Sequence, residues 1–138
     1  MSRSQIIDHT ADIGLRVVAA TPAEAFATLT EGMFGIMVER ETVAQKEQWE
    51  ESVEARSWED LVVAWLDELL YRYESERLVV KTCRVTEISS TAIAAELFGD
   101  YLDPEVHETG VQIKAVTYHQ LHALETEEGF EIQVIFDI

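Results

Sequence analysis

Apolar residues along this chain recur with two different periods, and the changes of period mark its elements. Gln5 to Ile7 and Leu15 to Ala20 read as strands, the second with Leu15, Val17 and Ala19 on one face. Between them lies a polar heptapeptide, Asp8-His9-Thr10-Ala11-Asp12-Ile13-Gly14. Thr21-Pro22-Ala23-Glu24 then carries the marks of a helix start. Thr21 suits the N-cap, Pro22 the first helical position, and Glu24 completes a capping box. Phe26, Leu29, Met33 and Ile36 or Met37 follow on one side, so the helix should end near Val38. The stretch 42–56 tolerates a helix or an exposed strand; Trp49 and Val53 set among charges, with no apolar stripe at helical spacing, favour the strand.

A second helix is signalled by Ser57 with Asp60 three residues on, then Leu61, Trp65 and Leu69, flanked by Val62, Leu66 and Tyr73. From Leu78 onward the period returns to two. Segments 78–88, 91–98, 112–125 and 130–136 are rich in β-formers, and Glu127-Glu128-Gly129 suits a hairpin turn between the last two. Residues 99–110 read as a loop. The expected fold is α+β, with two helices packed on one largely antiparallel sheet, in a single domain spanning residues 1–138. In the last strand, alternation places Phe130, Ile132, Val134, Phe136 and Ile138 on one face and Glu131, Gln133, Ile135 and Asp137 on the other.

Composition narrows the function. Of 138 residues, 27 are acidic and 10 basic, a formal charge of -17. Such a chain repels phosphate backbones, so direct nucleic-acid binding is not expected; cations or a basic protein partner suit it better. No segment is apolar and long enough to span a membrane, and the first residues do not read as a signal peptide. Cys83 stands alone, which fits a reducing cytoplasm. There is no Gly-x-Ser-x-Gly, P-loop or dinucleotide fingerprint, so nothing points to an enzyme.

Asp8, His9 and Asp12 crowd a turn between strands. Clustered carboxylates suit hard cations such as Ca²⁺ or Mg²⁺, which take oxygen ligands; an Asx-type polar turn would use the same residues. His107 falls in the acidic loop and reads as solvated. His119 and His122 are three apart in one strand, hence on opposite faces unless a bulge intervenes. Lys114 is one of only three lysines and suits either a solvated strand position or an anchor for an anion.

Four blocks together, "DHTADIGLRV", "WEDLVVAWLDELLYRYE", "IKAVTYHQL" and "FDI", resemble the archease family in order and over nearly the whole chain. The resemblance implies a small α+β protein that is a non-catalytic cofactor of the RtcB-type RNA ligase. That ligase acts in tRNA splicing and RNA repair through a guanylated histidine. The cofactor promotes guanylation and multiple turnover. It also implies a divalent metal of the calcium or magnesium/manganese type, held by Asp12, Asp137 and a main-chain oxygen of Ile138. Lys114 matches the family lysine, and Asp8, His9 and His119 lie in the same motifs as supporting residues. The acidic stretch Glu47 to Glu54 matches no motif. Competing readings are a general protein chaperone or RNA-processing adaptor, and a metal-dependent phosphohydrolase.

Overall fold

The computed structural model describes residues 2–8 and 12–138, and of Asp8 the main chain only; His9, Thr10 and Ala11 lie outside the described residues. The elements run β1 (Arg3–Asp8), β2 (Asp12–Ala19), α1 (Pro22–Met37), one 3-10 turn (Arg40–Thr42), β3 (Glu47–Glu54), α2 (Trp58–Glu76), β4 (Leu78–Ser89), β5 (Ala92–Tyr101), β6 (Ala115–Thr126) and β7 (Gly129–Asp137).

Both helices begin where their caps predict. Thr21 Oγ1 accepts from the Glu24 N–H at 3.2 Å, and Ser57 Oγ accepts from the Asp60 N–H at 3.2 Å. α1 buries Phe26, Leu29, Met33 and Phe34, and α2 buries Leu61, Trp65, Leu66 and Leu69. The faces meet in one apolar core. Its largest side chain, Trp65, keeps its indole N–H satisfied by donating to Thr30 Oγ1 at 2.8 Å, and Thr30 donates onward to the Phe26 carbonyl at 2.7 Å. An unpaired donor at that depth would cost about 1–3 kcal/mol.

The α+β architecture is as expected, but the strands form two antiparallel sheets and not one. The orders are β1-β2-β7-β6 and β3-β5-β4. Alternation identifies a strand and its faces; it does not identify the neighbouring strand. α1 packs against both β2 and β4, so the helical layer joins the sheets. Within the 42–56 stretch, Glu47–Glu54 form an exposed strand, β3, paired to β5. β5 runs on to Tyr101 and β6 begins at Ala115, so the connecting loop lies later than expected.

His107, in that loop, is buried rather than solvated, with 3% of its surface exposed. The loop is strapped down by main-chain hydrogen bonds from Gly110 to Met37 and from Val111 to Ile36. His107 Nδ1 accepts from the Asp103 N–H at 3.0 Å. The bonds from Gly110 and Val111 to α1 are non-local and leave no trace in the loop's composition.

Two glycines have clear reasons. Gly129 closes the β6–β7 hairpin at φ +128, a conformation that other residues rarely adopt. Gly14 sits where a Cβ would lie 2.9 Å from Ile135 Cδ1 and 3.1 Å from Ile7 Cβ. It therefore lets β1, β2 and β7 come together directly behind the polar heptapeptide.

Candidate functional site

β2 lies between β1 and β7, and its register with β7 runs unbroken from Ala19↔Phe130 to Asp12↔Asp137. Asp12 and Asp137 are therefore direct cross-strand partners. Such partners point to the same side of a sheet with Cβ atoms about 4.5–5.5 Å apart. Ile13 and Phe136, one step in, are buried in the core, so the two carboxylates lie on the opposite, outer face. Like charges placed directly opposite one another destabilise a ladder. Asp12 Oδ1 is buried and has no hydrogen-bond partner among the described residues, while Asp137 is exposed.

The other sequence candidates divide into two groups. Lys114 belongs to this edge: its main-chain N–H donates to the Asp137 carbonyl at 2.8 Å, next to the Ala115↔Asp137 pair, and its side chain is exposed. Asp8 ends β1 opposite Ile13, one position from Asp12 in the neighbouring strand. Ile138 is half-buried and packs partly against the core, directly after Asp137. His9 lies outside the described residues. His119 is set further off, beyond the Thr117↔Ile135 pair and so more than two residues along β7 from Asp137.

His119 falls in a feature that alternation alone did not locate. Between Thr117↔Ile135 and His122↔Gln133, four residues of β6, Tyr118 to Leu121, stand opposite the single Val134. Gln120 takes a left-handed backbone, φ +53. This bulge is fixed at several points. Thr117 Oγ1 donates to the Ile135 carbonyl at 2.8 Å, and Tyr118 Oη donates to Asp60 Oδ1 at 2.9 Å. The hydrogen bond to Asp60 holds the Tyr118 hydroxyl above its usual pKa. Leu121 returns to the core. Farther along the outer face, His122 Nε2 and Glu131 Oε2 are 2.6 Å apart. Among the described residues, no group of three or more His, Cys, Asp or Glu side chains is arranged to hold a metal.

The Archease protein family model matches residues 5–138. The chain belongs to the archease family. Similar proteins include the protein archease of Methanosarcina mazei, 34% identical, with 97% of this chain and 94% of that one covered. The protein archease of Pyrococcus abyssi is also 34% identical, over the full length of both. Among solved structures, the solution structure of Methanobacterium thermoautotrophicum protein 1598 aligns with a TM-score of 0.75 at 25% identity, covering 98% of each chain. A crystal structure described as an archease, possible chaperone, from Thermotoga maritima aligns with a TM-score of 0.64 at 22% identity. It covers 96% of this chain and 94% of that one. An archease thus combines, in this chain, a packed α+β frame with an acidic edge on the outer face of its four-stranded sheet. Among the described residues, no helix is long and apolar enough to cross a membrane.

Proposed function

We propose that this archease is a non-catalytic cytoplasmic activator of the RtcB-type RNA ligase, working through a hard divalent cation at the Asp12–Asp137 edge. The observation that supports it most is the pairing itself. Two carboxylates face each other across adjacent strands, and one buried oxygen has no partner among the described residues. An unpaired buried carboxylate oxygen is costly in a structural role and useful as a cation ligand. Asp12, Asp137 and a main-chain oxygen of Ile138 would hold the ion, which would supply positive charge between groups that otherwise repel. Lys114, beside them, would moderate the remaining negative charge, Asp8 and His9 would support the edge, and His119, set further off, would serve contact with the partner. The charge of -17 makes the chain a poor ligand for RNA and a good one for the cationic surface that binds RNA on a ligase. Docking there before RNA enters is compatible with promoting guanylation.

The test is a guanylation assay under multiple-turnover conditions with the cognate ligase. The unaltered chain should stimulate, and Asp12→Ala or Asp137→Ala should abolish stimulation while circular dichroism and thermal melting remain those of a folded protein. Normal stimulation by both variants would remove the assignment. Metal-independent suppression of aggregation of unrelated proteins, with no effect on the ligase, would favour the chaperone reading instead.

A further inference from the structure

The β6 bulge is expensive to build. A non-glycine residue in the left-handed region is uncommon and costs free energy unless its surroundings hold it there. Here the holding is done from beneath. Gln133 is buried, with 8% of its surface exposed, on the same outer face as Asp137. Arg16, its register partner on β2, donates to Gln133 Oε1 from Nη2 at 2.8 Å and from Nε at 3.3 Å. Arginine has donors only, so this contact fixes the orientation of the amide. Nε2 must then face away, and it donates to the Gln120 carbonyl at 3.0 Å. The amide thus clamps the strained residue down onto the outer face. Tyr118, His119 and Gln120 are left exposed opposite Val134, farther along β7 than the acidic edge, with Tyr118 at 60%.

Bulges next to functional sites commonly re-aim side chains. The tether of Tyr118 to Asp60 on α2 and the clamp on Gln120 together leave the His119 segment little freedom. A segment held this firmly yet left exposed is preorganised for contact. We infer that the β6 bulge, positioned by Gln133 and Arg16, is a second contact surface that a cationic protein partner covers together with the Asp12–Asp137 edge. The occupant is a protein surface bearing arginine or lysine. An exposed tyrosine ring attracts such side chains, and the negative charge of the chain and its neighbouring carboxylates draws them in. This inference rests on the proposed function for the identity of the partner. Gln133 and Arg16 are positioning residues; neither needs to touch the partner.

The experiment measures ligase guanylation against archease concentration for three chains. His119→Ala alters an exposed side chain and leaves the fold alone. Gln133→Glu keeps an oxygen for Arg16 but sets a second oxygen against the Gln120 carbonyl, so it disturbs the bulge and spares the contact beneath it. Both should raise the half-saturating concentration about tenfold, the size typical of a lost interface contact, while reaching the same maximal stimulation. Amide exchange in the free Gln133→Glu protein should quicken at residues 118–121 and not in the helices. Failure of the unaltered chain to stimulate would overturn the functional reading and this surface with it. Stimulation by the unaltered chain, with half-saturation unchanged in both variants, would overturn the surface alone.

Discussion

The β2–β7 ladder has two ends built on opposite principles. At one end Ala19 faces Phe130, and Phe130 packs on Trp58 with ring centroids 4.8 Å apart; Trp58 in turn meets Phe26 at 5.9 Å. Apolar surface is covered there and a tight glycine turn closes the hairpin. At the other end two aspartates face each other, and a buried oxygen goes unpaired among the described residues. One continuous register carries both, so the backbone does not explain the contrast. The first end serves stability. The second spends stability that the first supplies, and a local violation inside an otherwise consistent fold is where function is expected.

The contrast can be broken most forcefully at the packed end. Phe130→Ala empties a position that is 2% exposed and should cost about 3–5 kcal/mol, read from chemical denaturation. A loss under 1 kcal/mol would mean that the aromatic cluster is not the anchor of the ladder.

At the acidic end the effect should depend on cation. If Ca²⁺, Mg²⁺ or Mn²⁺ binds the native edge, saturation at about a hundredfold above the dissociation constant adds about 2.7 kcal/mol by mass action. The melting temperature should rise accordingly in the unaltered chain and stay flat in Asp12→Ala. An equal rise in both would move the ion elsewhere.

The smallest effect belongs to Cys83, in the packed region of the second sheet and 6% exposed. Burial pushes its thiol up to about 12 from its ordinary 9.0. A raised value in the folded state means that the folded chain holds the proton longer. The associated stability is present below pH 9 and is lost as pH climbs toward about 12. At pH 8, alkylation should therefore follow unfolding. Labelling at the rate of a free thiol would show that this region opens readily.

What could be read before the structure was local. The caps at Thr21 and Ser57 and the apolar faces of both helices depend on residues three or four apart, and the structure keeps them. The strand identities also held, because alternation over a few residues suffices. Strand partners did not follow, since alternation within a segment says nothing about which segment lies alongside it. The bulge was equally hidden. Nothing in Tyr118-His119-Gln120 marks a left-handed backbone; Gln133 and Arg16, remote in the chain, impose it. Gln133 did leave one sign, an uncharged polar residue within the apolar run "IQVIF". His107 escaped for the same reason, since its burial comes from contacts made by the loop as a whole. The family resemblance groups Asp12 with Asp137, and only the register reveals that they stand directly opposite.

That register also bears on how the molecule comes together in time. The β4–β5 and β6–β7 hairpins join neighbouring segments and can zip early. The β2–β7 ladder must instead close a loop containing both helices and the entire second sheet. Long closures are entropically unfavourable until other contacts support them, so such pairings tend to slow folding. The two aspartates should meet late, on a scaffold already assembled, and a kinetic intermediate holding native helices would still lack them.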